Sequence, residues 1–336
     1  MTLDRDKRPS IKDVAALAGV STATVSHVFS GKKQVNKELA DRVREAAGQL
    51  SYAVDRIASQ LRSGRARVVA VLVPDLEDLF INRFVSLIEA RAEQAGFDVV
   101  LACSRNDPQI EQSRLRALVA WRPAGILAIP CGDAVPDELL REYESIPVVG
   151  ADRIEPGSVP FDTVTVNNRN SGRKVVDFLL SRGLNSILMV TATLGIFNIR
   201  ERVAGAETRA AENAGAKLQV IEIGTDPGRG ASVLADWLKS NPRPDAVVGV
   251  TNLTTLAALA AFAEVGFEAP KDIALVGFHD SQWMTARKNP VTTVVQPVDD
   301  VARLAWERLE RRMAGDDSPA RSLILSAELV HRASVP

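Results

Sequence analysis

The chain has little cysteine and little histidine, and it lacks any long apolar run. Two cysteines in 336 residues, Cys103 and Cys131, exclude a disulfide framework as its source of stability. Both lie in or beside apolar stretches and read as buried or half-buried thiols. The three histidines, His27, His279 and His331, are far apart and without metal-ligand spacing. No GxSxG elbow, Walker loop or GxGxxG follows a strand, so no motif argues for catalysis, a cofactor or a metal. No stretch approaches the roughly 18 apolar residues of a membrane span. The start, MTLDRDKRPS, has no apolar centre and is not a signal peptide. The expectation is a soluble, cytoplasmic protein that is not an enzyme.

What is there is ordinary globular composition, 46% hydrophobic and 25% charged, in a length with room for two or three domains. The net charge of -1 hides an asymmetry. Residues 1–67 hold 13 Lys and Arg against 7 Asp and Glu, and the remainder holds 28 against 35. A head of net +6 on a body of net -7 suits a head that meets a polyanion.

The head has the punctuation of short helices. Ser10 can cap one, with Asp13 at its positive dipole end and Val14, Ala15, Leu17 and Ala18 as its apolar face. Gly19 can take the left-handed position after it. Ser21 caps a second helix ending near Gly31, and a third starts near Asn36 with Leu39, Val43, Ala46, Ala47 and Leu50 at helical spacing. Two short helices across a glycine turn make a helix-turn-helix. The segment 55–67, DRIASQLRSGRAR, starts as a possible two-turn helix and ends as a basic linker.

From Val68 the pattern changes to short continuous apolar runs alternating with helical stretches. VVAVLVPD, FDVVLACS, AGILAIP and IPVVGAD come first. TVTVNN, SILMVTA, LQVIEIG, DAVVGVT and IALVGF follow. Such strands imply parallel sheets covered on both faces. The expected fold is an all-α head on an α/β body of two doubly wound lobes with a cleft between them. The expected first lobe is about 68–162 plus 293–320, and the second about 163–292 plus 321–336. Ligands of open parallel sheets sit beyond the carboxyl ends of the strands, here facing the cleft.

This order resembles the LacI/GalR family of lactose-repressor-like transcription regulators, over essentially the whole chain. IKDVAALAGVSTATVSHVFSG in the head carries the likeness most specifically. IASQLRSG is similar to the family's hinge helix. DR (152–153), ERVAG (201–205), VGF (276–278) and TTVVQP (292–297) fall in the family's order. The resemblance implies a helix-turn-helix domain in 1–54, a hinge in 55–67 and an effector-binding and dimerisation domain in 68–336. It implies a repressor that binds a pseudo-palindromic double-stranded DNA operator as a homodimer. The chain stops at HRASVP without a heptad tail, which favours a dimer over a tetramer.

By the same resemblance Thr22, Ala23 and His27 read base edges in the major groove, while Ser21, Thr24 and Ser26 cap the helix or meet phosphates. Leu61 matches a minor-groove wedge of the hinge helix, Ala58 allows close approach, and Arg62 neutralises phosphate.

In the cleft, Arg202 matches the effector-contacting arginine, although Arg200 lies two residues away. Asp152 matches an acid lining the same cleft, and Thr251-Asn252 replace the family's usual Asn-Asp. His279 stands where an acid is usual and could carry charge near neutral pH. Thr225 replaces an aromatic that stacks on the ligand, which argues against a purine sandwich. Arg202 with His279 suits a sugar acid or similar anionic metabolite, with neutral sugars also open. The resemblance leaves open whether ligand releases DNA or tightens its grip. The competing readings are a two-lobed small-molecule binding protein or an enzyme, both without DNA function.

Overall fold

The computed structural model describes residues 9–30, 35–50, 52 and 67–336. The chain divides into two compact units, 1–66 and 67–336. Ala58, Leu61 and Arg62 lie outside the described residues.

The first unit holds α1 (Ile11–Ala18), α2 (Thr22–Ser30) and α3 (Lys37–Gln49). The Asp13 carboxylate accepts from both the Ser10 N–H and the Ser10 hydroxyl at 2.7 Å, tying down the start of α1. Gly19 ends α1 at φ 64°, and Arg42 of α3 donates to the Ala18 carbonyl at 2.5 Å. The Ser21 hydroxyl accepts from the Thr24 N–H at 3.1 Å and starts α2. Val14, Ala15, Ala18, Val25, Val43, Ala46 and Ala47 form a small apolar core.

The second unit contains two six-stranded sheets. The first uses β1 (Val68–Val73), β2 (Asp98–Cys103), β3 (Gly125–Ala128), β4 (Val148–Ala151), β5 (Asp162–Val166) and β11 (Ser322–Leu325), in the order β11-β5-β4-β3-β1-β2. The second uses β6 (Ser186–Thr191), β7 (Lys217–Glu222), β8 (Ala246–Gly249), β9 (Ala274–Phe278), β10 (Thr292–Val295) and β12 (Glu328–Val330), in the order β12-β10-β9-β8-β6-β7. All pairings are parallel except β10 with β12. The inner strands β1, β3, β4, β5, β8 and β9 are buried throughout, which is why they read as unbroken apolar runs. Cys103 is half-buried, Cys131 is buried, and both are free. Among the described residues no helix is long and apolar enough to cross a membrane.

The expected lobe boundaries need correction. TVTV at 163–166 belongs to the first sheet, where β5 pairs with β4 and β11. TTVV at 292–295 belongs to the second, paired with β9 and β12. The run RSLILSAELV splits, giving β11 to the first sheet and β12 to the second. An apolar strand-length run carries no mark of the sheet it will join, and the partner can be distant, as where Thr163 of β5 pairs with Ser322 of β11. The chain thus crosses between lobes at 166–168, 295–298 and 325–328. The crossings touch one another: the Asn167 N–H donates to the Leu325 carbonyl at 2.8 Å, and Lys174 Nζ donates to the Ala327 carbonyl at 2.9 Å.

The helices of the first lobe are α4 (Leu79–Gln94), α5 (Pro108–Ala120), α6 (Asp137–Glu142) and, after the second crossing, α12 (Val298–Met313). Those of the second are α7 (Asn168–Leu180), α8 (Phe197–Ala211), α9 (Pro227–Ser240), α10 (Asn252–Val265) and the short α11 (Gln282–Thr285). Helices α7 and α8 meet at backbone contact. A Cβ on Gly172 would sit 1.9 Å from the Arg202 carbonyl oxygen, and one on Gly205 would sit 1.9 Å from that of Arg169. Bidentate pairs Arg169–Glu201 and Arg173–Glu212 flank the crossing. Such exposed pairs each contribute about 0–1 kcal/mol, so the glycine contact sets the geometry.

Gly172→Ala should therefore destabilise the body by about 1–3 kcal/mol or more, because the neighbour is backbone and cannot rotate away. Gly48, in α3, has nothing within 4 Å of an added Cβ. Gly48→Ala should stabilise the head by about 0.5–1 kcal/mol. Denaturant melts of the two variants should move in opposite directions.

Candidate functional site

The cleft residues come from loops and helix starts beyond the carboxyl ends of the strands, where a doubly wound sheet leaves its ligand crevice. From the second lobe, Arg202 lies in α8 and is 2% exposed. Its Nε donates to Asn168 Oδ1 at 2.8 Å and its Nη1 to the Val250 carbonyl at 2.6 Å. The guanidinium carbon stands 4.6 Å from the centre of the Phe278 ring. Burial pushes the guanidinium down to about 10, opposed by the negative charges of Asp152 and Asp78. Arg202 therefore remains a cation at neutral pH, with Nη2 engaged in neither bond. Arg200, the alternative arginine, is half-buried and points elsewhere, to Asp133 and the Leu194 carbonyl.

From the first lobe, Asp152 follows β4 with φ 57° and is 4% exposed. Its Oδ2 accepts from Asn198 Nδ2 at 2.7 Å, a bond between the lobes. Burial raises its carboxyl above the ordinary range, against the lowering effect of Arg202 and Arg153. His279 follows β9 with φ 70°, and its N–H donates to the Val294 carbonyl at 3.0 Å. Two left-handed non-glycine residues at one cleft are a concentration of strain of the sort found at binding sites. The His279 ring packs against Phe80 of α4, with centres 5.5 Å apart. Burial lowers the imidazole to about 4, so it is neutral at pH 7. This corrects the expectation that His279 carries charge there: the cations at the cluster are Arg202 and the buried Arg153 that follows Asp152.

Other expected residues are spread around this cluster. Thr251 caps α10 through a reciprocal pair with Thr254. Asn252 is buried, and its Oδ1 accepts from Ser281 Oγ at 3.0 Å and Trp283 Nε1 at 3.2 Å. Thr225 is exposed in the loop before α9, and among the described residues no hydrogen bond joins it to the cluster. In the head, Ser21, Thr22 and Ala23 are exposed at the start of α2, and Thr24, Ser26 and His27 are half-buried.

Four participants escaped the sequence reading. Asn198, in the first turn of α8, bonds Asp152 across the cleft. Gln296 lies in the second crossing and is 5% exposed. Asp78 caps α4, its Oδ1 accepting from the Phe80 N–H at 2.9 Å, and its charge acts on Asp152, Arg202 and His279. Phe80 itself supplies the ring beside His279. Among the described residues, three buried oxygens find no hydrogen-bond partner: Asp152 Oδ1, Asn198 Oδ1 and Gln296 Oε1. All three are acceptors, and leaving each unmet costs about 1–3 kcal/mol.

Comparison with known proteins places this architecture. The description "Bacterial regulatory proteins, lacI family" matches residues 10–55, and "Periplasmic binding protein-like domain" matches 176–335. The transcriptional regulator PtxS of Pseudomonas putida is 30% identical over 331 residues, covering 98% of this chain and 96% of that protein. The chain belongs to the LacI family. It is a transcription regulator with a helix-turn-helix DNA-binding domain and an effector-binding body, and not an enzyme. KdgR of Bacillus subtilis is 26% identical and the repressor PurR of Vibrio atlanticus 29%, each across 97% of the chain. Among solved structures, the lac repressor dimer bound to operator and the anti-inducer ONPF superposes with a TM-score of 0.84 at 23% identity, covering 98% of this chain and 99% of its own. A complex of the regulator CelR with cellobiose gives 0.71 at 28%, covering 97% and 100%.

The lowered imidazole has a signed consequence. The unfolded chain takes up a proton near pH 6.5, and the folded chain resists it until about 4. The stability gained from a neutral His279 is present above about 6.5 and is lost as pH falls toward 4. His279→Asn, which tolerates the left-handed backbone, should flatten the fall in melting temperature between pH 6.5 and 4. Melts of both proteins across that range check it.

Proposed function

We propose that this chain is a cytoplasmic repressor that binds a pseudo-palindromic operator as a homodimer and is switched by a sugar or sugar acid held between its lobes. The unpartnered acceptors Asp152 Oδ1 and Asn198 Oδ1 near Arg202, with the buried Gln296 Oε1 of the second crossing, carry the ligand reading. Hydroxyl groups supply the hydrogens that Asp152, Asn198 and Gln296 lack, and they accept from the unused edge of Arg202. A carboxylate on the same ligand would use that edge more fully, which keeps a sugar acid within the class. The cellobiose complex of CelR is in keeping with a sugar in this cleft.

On the DNA side, Thr22 and Ala23 lead α2 with open faces, as base reading requires, and His27 follows one turn later. Ser21, Thr24 and Ser26 cap the helix or meet phosphates. Ala58, Leu61 and Arg62 serve as the hinge, with Leu61 as the wedge. Asp152, Arg202, His279 and Asn252 serve the ligand, with Thr251 and Thr225 at its margin. Exposed leucines on α4 (Leu79), the edge strand β2 (Leu101) and α10 (Leu256) offer apolar surface for the second copy.

Two experiments test this reading. In a thermal-shift panel of neutral sugars, sugar acids, phosphosugars and purines, a sugar or sugar acid should raise the melting temperature, and Arg202→Lys should abolish the rise. A ligand at 100 times its dissociation constant adds about 2.7 kcal/mol. A rise with a purine alone would contradict the ligand class. Leu61→Ala should weaken binding to specific DNA far more than to random DNA, and equal loss on both would remove the wedge.

A further inference from the structure

The lobes are bridged outside the ligand cluster as well as within it. Asp133 stands in the loop after β3, and Arg200 in the first turn of α8. Arg200 Nη1 donates to Asp133 Oδ2. Both side chains keep 43% of their exposure, so this pair lies at the open rim. The loop that presents Asp133 is held in place. The Cys131 N–H donates to the buried Glu111 carboxylate at 2.7 Å. The Cys131 carbonyl accepts from Arg153 Nη1 at 3.3 Å, and the same nitrogen donates to Asn106 Oδ1 at 3.0 Å.

These contacts close a ring. Asp152 bonds Asn198 across the cleft. Asn198 and Arg200 share the first turn of α8. Arg200 reaches back to Asp133, whose loop is held by Arg153, and Arg153 follows Asp152 in the chain. The first lobe contributes Asp152, Arg153 and the loop of Asp133, and the second contributes Asn198 and Arg200, so the ring is complete only when the lobes are together.

We propose that the Arg200–Asp133 pair is a clasp that sets how often the lobes close before any ligand arrives, with Arg153 as the positioning residue that ties the clasp to the ligand cluster. The proposal rests on the reading of this cleft as the effector site and adds its regulation. A ligand bonding Asp152 and Asn198 would tighten the same ring from inside, so clasp and ligand favour one state. An exposed ion pair of ordinary strength shifts that population by about two- to five-fold. That is small enough for the ligand to remain decisive, and salt screens it.

Hydrogen exchange on the full chain, without DNA or ligand, tests the clasp. Arg200→Asp and Asp133→Arg should each raise exchange about two- to five-fold in the three crossings, 166–168, 295–298 and 325–328, and the double reversal should restore it. Added salt should raise exchange there in the unaltered protein but not in the single variants. Arg200→Gln, a milder change, should act in the same direction if a reversal impairs folding. Altered exchange confined to 131–135 and 197–201, with the crossings unchanged, would overturn the proposal. So would a double reversal that melts normally yet leaves the crossings fast. Neither operator nor effector enters this measurement, so it can fail while the proposed function stands, and the reverse.

Discussion

A guanidinium taken out of water is the constraint around which the cleft is organised. Arg202 is tolerable at 2% exposure because the groups around it answer its charge or its hydrogens, against the like charge of Arg153. Asn168 at the start of α7 and the Val250 carbonyl at the end of β8 accept from it. Phe278 at the end of β9 offers a ring face, and Asp152 and Asp78 reach it electrostatically from the other lobe. Five elements must be in register for that to hold. The contact of Gly172 with the Arg202 backbone provides the register, because it lets α7 and α8 approach as closely as backbones allow.

The same cation explains how two lobes can form a switch. Charges meet across the cleft: Asp78, Asp133, Asp152 and the cation Arg153 from the first lobe, Arg200 and Arg202 from the second. The unsatisfied acceptors nearby give a ligand differential contact with the closed arrangement, which is the only way a ligand can shift a two-state balance. The first crossing bonds the third through Asn167 and Leu325, and Val295 at the second pairs with Glu328 at the third, so the three backbone passages between the lobes run close together.

Much of this was legible in the sequence, for local reasons. Ser10, Asp13 and Gly19 mark α1 by capping chemistry that needs no tertiary context, and buried parallel strands announce themselves as unbroken apolar runs. The family resemblance pointed to Asp152, Arg202 and His279; Asp152 directly follows β4, His279 directly follows β9 and Arg202 lies within α8. What stayed hidden depends on long-range pairing or environment. The runs at 163–166, 292–295 and 322–330 gave no hint of their sheets. Asp78 reads as a helix cap, which it is, and its second role comes from folding. Gln296 belongs to TTVVQP, a run that marks chain order and gives no sign of a buried, unpartnered amide. Asn198 lies in a helix start beside two arginines that draw attention from it. His279 looked like a second cation because burial, which makes it neutral, is not written in its neighbours.

The central claim is that one ligand in this cleft governs one DNA-reading head. The most direct measurement takes a duplex selected from random DNA by the full-length protein. Its affinity is then followed by fluorescence anisotropy with and without the compound that most raises the melting temperature. The account predicts that the selected duplex is an inverted repeat and that saturating ligand changes affinity for it at least five-fold, in either direction, as a coupling energy of about 1 kcal/mol or more requires. Unchanged affinity at saturating ligand would contradict it.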